Sequence, residues 1–226
     1  MTLPPSTHAP HIFVDDLEAL ELDPADDHHL RVLRIPVGAA IIACDGRGAW
    51  RLCRRTATIE ADGPTTTGAR ATPSISIAFA LTKGDKPELV VQKLTELGVD
   101  RIVPFFAERS VVRWDDARAQ RNLERLRRVA REAAMQSRRI NLPVLTDVAS
   151  VASIGAQGFV RADRGGEPLS LRSPSVAIGP EGGWSDDERR SWPGSVALAA
   201  TVLRAETAAI AAASILMAHR ERLWAE

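Results

Sequence analysis

SVAIGPEGGWSDDE, residues 175–188, runs from a short apolar strand through a glycine-rich turn into a helix start. Ser185, Asp186, Asp187 and Glu188 form the serine-to-glutamate spacing of a capping box, so a helix begins directly after the turn. In open parallel sheets, ligands bind outside the carboxyl ends of strands at such turns. A phosphate-binding loop needs bare backbone N–H groups and a cation, whereas this turn carries Glu181 and no lysine. The segment therefore suits an amine-bearing, cationic or hydroxyl-rich ligand better than a nucleoside triphosphate. Taken alone, GPEGG reads equally well as a tight turn.

Outward from this segment, strands alternate with helices. ISIAFAL (75–81) reads as a buried strand, and KPELVVQKLTELG (86–98) as a helix with Pro87 in its first turn and Gly98 at its stop. RIVPFF reads as a strand; a long helix spans Asp115 to about Ser137, with Leu123, Leu126, Val129, Ala130 and Ala133 near helical spacing. LPVL, GFVRAD and VALA read as short extended pieces, and ETAAIAAASILMAHRERLW as the final helix. Alternation of this kind predicts an α/β domain over residues 74–226, a parallel sheet with helices on both faces. The final helix is apolar nearly all round from Ala208 to Met217, which predicts deep burial or a subunit interface.

The N-terminal part has a different rhythm. HIFV, RVLRI, AAIIAC, AWRLCR and ATIE read as strands, with DGRG (45–48) as a hairpin turn, and together they predict a small β-barrel over residues 1–70. ADGPTTTGARATPS (61–74) has no periodicity and reads as the linker.

Composition narrows the class. The chain has 226 residues, 45% hydrophobic and 26% charged, as in an ordinary globular protein. No basic, apolar leader opens the sequence, and the longest largely apolar stretch, Ala208–Ala218, is too short for a bilayer, so a cytoplasmic protein without membrane contact is expected. Cys44 and Cys53 lack CxxC spacing and read as small buried hydrophobes, and the five histidines form no ligand pattern, so no metal site is expected. Net charge is zero but unevenly spread: seven acids and no lysine or arginine in residues 1–30, six arginines and one acid from Arg31 to Arg55, eight arginines and two acids from Arg118 to Arg139. Two basic blocks read either as solvated faces or as a directed contact to a polyanion.

Two further places invite chemistry. VLRAETAA (202–209) sets Arg204 and Glu206 at another strand-to-helix junction, as a helix cap or as part of a site. The only three lysines, Lys83, Lys86 and Lys93, lie in TKGDKPELVVQK, where a mobile point charge replaces the arginine fork favoured elsewhere.

LTKGDKPELVVQKLTELGVDRIVPFFAERSV, REAAMQSRRINLPVL, IGPEGGWSDDE and VLRAETAAIAAASIL, in that order, resemble the bacterial small-subunit (16S) ribosomal RNA uridine-N3 methyltransferases of the SPOUT, or α/β-knot, superfamily. HHLRVLRIPVGAAIIACDGRG is similar to their PUA-like N-terminal barrel. The resemblance covers nearly the whole chain. It implies a trefoil-knotted methyltransferase domain, a homodimer, and S-adenosyl-L-methionine as cofactor. It implies that Gly179, Pro180, Glu181 and Gly182 form one wall of the cofactor pocket, and Leu198, Ala199, Val202, Leu203, Arg204, Thr207 and Ala208 another. The family usually has Leu-Gly where this chain has Leu198-Ala199, and an arginine near the position of His11. Lys86, Glu88, Gln92, Lys93 and Glu96 match a segment near the catalytic cleft, and Arg109 matches the arginine of the family's Glu-Arg-Ser motif.

On this reading Arg204 stabilises the deprotonated uracil ring, with Glu206 orienting it. RNA is expected to contact Arg31, Arg34, Arg51, Arg54 and Arg55 of the barrel, together with Lys83, Lys86, Lys93 and Arg109. The expected partner is small-subunit ribosomal RNA, within the assembled particle. Two alternatives stay open: a SPOUT methyltransferase for another RNA base, and a non-catalytic RNA-binding assembly factor.

Overall fold

The computed structural model describes residues 9–192 and 194–223. Residues 1–8 of the N-terminal stretch and Trp224, the last residue of the expected final helix, lie outside the described residues. The chain divides into two units, Met1–Ala71 with Arg131–Leu142, and Thr72–Ala130 with Pro143–Glu226.

The first unit contains β1 (His11–Phe13), α1 (Pro24–Val32), β2 (Ala40–Cys44), β3 (Ala49–Arg55) and β4 (Ile59–Thr67). Its sheet has the order β1-β2-β3-β4, parallel between β1 and β2 and antiparallel beyond. Among the described strands it is an open sheet with β1 and β4 at its edges, where the sequence pattern suggested a barrel. Two segments fold otherwise than expected. RVLRI is the end of α1 followed by a turn with Arg34 at φ 54°, because Asp26 and Asp27 in the first turn and His29 and Arg31 in the last favour a helix. The first half of the expected linker, residues 61–67, belongs to strand β4. Its Pro64 is tolerated because an edge strand leaves one row of backbone groups unpaired.

Residues 131–142 join this unit because Ala134, Met135 and Ile140 are buried with Phe13, Ile42 and Trp50 in one apolar cluster. Removal of these side chains from water, not chain continuity, draws the boundary. Cys44 and Cys53 are both free and buried, and burial raises the pKa of each thiol.

The second unit follows the alternating pattern: β5 (Ser76–Ala80), α2 (Lys86–Leu97), β6 (Arg101–Phe106), α3 (Asp116–Gln136, its last residues belonging to the first unit), β7 (Val144–Leu145), β8 (Ala149–Ser150) and α4 (Val151–Ala156). It continues with β9 (Val160–Pro168), β10 (Ser175–Ile178), α5 (Asp186–Ser191), β11 (Ser195–Ala197) and α6 (Ala205–Arg220). Every pairing is parallel, in the order β11-β9-β10-β5-β6-β7 with β8 also on β6. The pleat sends Ile77 and Phe79 of β5 to one face, where α2, α3 and α6 bury Val91, Leu94, Leu126 and Ala212 against them. Ala78 and Ala80 point to the other face, under Ile154 of α4 and Trp184 and Trp192 around α5. Gly98, at φ 96°, ends α2 and leaves no room for a side chain beside Met217 of α6. Among the described residues, no helix is long and apolar enough to cross a membrane.

Candidate active site

The carboxyl-terminal ends of β10 and β11, residues 162–164 within β9 and the start of α2, all in the second unit, border one cavity of about 560 Å³. The turn after β10 supplies Gly179, Pro180 and Glu181. This turn is shaped by aromatic packing. The Trp184 indole N–H donates to the Ala162 carbonyl at 2.9 Å, and its ring stacks on Phe105 at 5.9 Å between centroids. Gly179 lies so close beneath Trp184 that a Cβ would meet the indole at 2.8 Å, which is why glycine stands there. Behind the turn, Ser185 caps α5 by accepting from the Glu188 N–H at 3.1 Å, and its own hydroxyl donates to Glu108 at 2.6 Å.

The carboxylate in the glycine-rich turn has an internal partner. Lys86, at the start of α2, hydrogen-bonds Glu181, and its Nζ stands 3.7 Å from Glu206. The bond from Lys86 holds the Glu181 carboxyl below its ordinary range, and the bond to Glu181 raises the lysine. Glu206 Oε2 is buried and has no hydrogen-bond partner among the described residues.

The segment after β11 forms the facing wall with Leu198, Ala199, Val202 and Leu203, and the start of α6 adds Arg204 and Ala208. β9 closes the cavity with Ala162, Asp163 and Arg164. Asp163 accepts from Arg161 at 2.7 Å and from Arg189 at 2.9 Å. Burial works to raise its pKa, but the bonds from the two arginines and from the Arg164 N–H outweigh burial and hold it low.

The RNA methyltransferase domain family matches residues 70–217, which include every residue named at this cavity. The ribosomal RNA small subunit methyltransferase E of Mycobacterium tuberculosis is 32% identical over 214 residues, covering 82% of this chain and 80% of the relative. That of Bacillus subtilis is 30% identical, covering 93% and 94%. The chain belongs to the ribosomal RNA small subunit methyltransferase E family. A crystal structure of the family's enzyme from Neisseria gonorrhoeae, bound to S-adenosyl methionine, superposes with a TM-score of 0.82 at 25% identity, covering 96% of this chain and 98% of that one.

Within this methyltransferase the expected site residues divide. Gly179, Pro180, Glu181, Leu198, Ala199, Val202, Leu203, Arg204 and Ala208 lie together on the cavity wall. Gly182 and Thr207 do not line it: Gly182 packs against Arg109, whose guanidinium donates to the Gly182 carbonyl at 3.3 Å, and Thr207 is exposed on α6. Glu206, expected to orient Arg204, faces Lys86 instead. The lysine cluster separates, since Lys86 lines this cavity while Lys93 pairs with Glu96 at 2.8 Å on α2. Asp163, Arg164, Trp184 and Arg189 went unnoticed in the sequence; an acid closing the extended piece GFVRAD was their one visible trace.

The arginines expected to contact RNA from the first unit are largely engaged inside it. Arg55 is 8% exposed and pairs with Asp27 at 2.6 Å; Arg51 donates to Gly63 and Leu17 carbonyls and to Glu18; Arg54 pairs with Asp62 at 2.7 Å. Arg31 also pairs with Asp27, while Arg34 has no ion pair among the described residues. Three of the excess acids near the N-terminus, Glu18, Asp26 and Asp27, therefore answer arginines of both basic blocks, Asp26 through Arg131.

Proposed function

We propose that the chain methylates N3 of a uridine in small-subunit (16S) ribosomal RNA, with S-adenosyl-L-methionine as methyl donor, as a cytoplasmic homodimer with a trefoil-knotted catalytic domain and a PUA-like N-terminal unit. The observation that carries this reading is the cavity at the carboxyl-terminal ends of β10 and β11, beside β9, whose donor set suits that cofactor. Ile178, Leu198 and Leu203 offer apolar walls, Asp163 and Glu181 offer carboxylates for cationic and hydroxyl groups, and Arg164 offers a cation for a carboxylate. A volume of about 560 Å³ is within the ~300–1,000 Å³ typical of such sites. When bound, the cofactor supplies an electrophilic methyl group on a sulfonium.

The chain's own residues deal with the uracil. Its N3 is an imide nitrogen whose lone pair becomes available only as the proton leaves, and the resulting charge spreads to O2 and O4. Arg204, at the N-cap of α6 and on the cavity wall, stabilises that charge as a fixed cation. Glu206, whose buried Oε2 has no hydrogen-bond partner among the described residues, stands 3.7 Å from Lys86 and does not line the cavity, so it helps to hold that lysine while the N3 proton leaves to solvent. Lys86, bonded to Glu181 and close to Glu206, keeps the two carboxylates apart in charge and holds the turns after β5 and β10 together.

Small ribosomal subunits from a methylation-deficient strain are the substrate for the test, with mass spectrometry of the product nucleoside. N3-methyluridine is expected. Methylation of another base, or no heat on calorimetric titration with S-adenosylmethionine, would refute the proposal. Arg204→Ala should lower turnover about 100-fold while changing cofactor affinity less than about threefold; equal losses in both would remove Arg204 from its role.

A further inference from the structure

A second cavity of about 390 Å³ opens off the same turn after β5: Lys83, Gly84 and Pro87 line it, whereas Lys86 lines the first. Its walls carry three cations, Lys83, Arg118 and Arg125, against one carboxylate, Glu88, which Arg125 already engages. Lys83 and Arg118 have no ion pair among the described residues, and both are exposed. Trp114 supplies an aromatic wall, steadied by an edge-on contact with Phe106 at 6.3 Å, whose ring lies under Arg113 at 5.3 Å. Asn122 adds a side-chain amide with no hydrogen-bond partner among the described residues.

We infer that this cavity receives a nucleotide of single-stranded RNA adjoining the one in the first cavity, an inference that rests on the RNA-methylation reading. Unmatched cations beside an indole ring and a free amide provide the three things an unpaired nucleotide offers partners for: phosphate charge, a base face to stack on, and an edge that donates and accepts hydrogen bonds. The volume, at the lower end of the ~300–1,000 Å³ range of small-ligand sites, holds one nucleotide and not a helix. A single turn, residues 82–87, borders both cavities, so one strand can enter the two together.

Binding of a fluorescein-labelled, unstructured oligoribonucleotide, followed by anisotropy over a salt series, tests the site. Lys83→Ala with Arg118→Ala should weaken binding at least about tenfold and flatten the slope of log affinity against log salt by about 1.4, two phosphate contacts at ~0.7 each. Arg121→Ala with Arg128→Ala removes the same charge from exposed positions of α3 outside the cavity and should cost less than about threefold. Asn122→Ala, which leaves charge untouched, should weaken binding about two- to threefold. Equal losses in the two double variants, or a cavity variant within twofold of the parent, would overturn the site in favour of a diffuse basic field. Cofactor calorimetry on the same proteins separates the two readings. Absence of cofactor heat in the parent removes the methylation reading, while the oligonucleotide comparison still decides the cavity.

Discussion

The two cavities of the second unit hold their charge differently. At the first, the carboxylates are already matched, Glu181 by Lys86 and Asp163 by Arg161 and Arg189. At the second, Lys83 and Arg118 have no counter-ion among the described residues. A matched pair fixes the shape of a wall where it is buried, as Arg161 and Asp163 are, because breaking it leaves the survivor desolvated; the exposed Lys86–Glu181 pair contributes less. Unmatched exposed cations keep their charge for a ligand and contribute little to the fold. The same contrast runs inside each basic block: Arg51, Arg54 and Arg55 of the first and Arg125, Arg127 and Arg131 of the second are tied to acids, whereas Arg34 and Arg118 have none among the described residues.

The largest expected effect lies at the most deeply matched group. Arg161 is 4% exposed and donates to the Trp192 carbonyl at 2.5 Å as well as to Asp163, so Arg161→Ala should cost about 3 kcal/mol in chemical denaturation. A loss under about 1 kcal/mol would show that the matched network does not hold the wall. Next, Gly179→Ala drives a methyl group into the Trp184 ring; a destabilisation of about 2 kcal/mol and weakened cofactor heat are expected, and an unchanged calorimetric trace would mean the turn shifts freely.

Acid titration sharpens the contrast further. Asp163 is held below its ordinary value of 3.8, so the unfolded chain takes up the proton first; the stabilisation is complete above that value and fades as pH falls through the lower folded one. Asp163→Asn should therefore flatten the fall in Tm between about pH 5 and pH 3, and an unaltered slope would count against the pairing. The smallest effect is expected at Arg118→Ala, where stability should stay within about 0.5 kcal/mol; a larger loss would place Arg118 among the matched groups.

Local signals carried much of the fold. Pro87, Gly98, the Ser185 capping box and the near-continuous apolar run of 75–81 mark their elements through steric and hydrogen-bonding rules that act within a few residues. Elements lacking such rules were misread: RVLRI has apolar residues at spacings that fit either strand or helix, and β4 is strand only because β3 pairs with it. At the site, the residues on strand ends and turns of plain pattern were legible. Asp163 and Arg189 were not, since each acquires meaning only from the other.

The order of residues alone determined the alternation of strand and helix, the caps, and the glycine-bearing turn after Ile178, because these depend on neighbours along the chain. Three-dimensional packing was needed to give Glu181 its lysine from 95 positions away, to bring β9 beside β10, and to assign residues 131–142 to the first unit. Charge pairing and apolar burial act through space, and the strand order sets which distant groups come within reach.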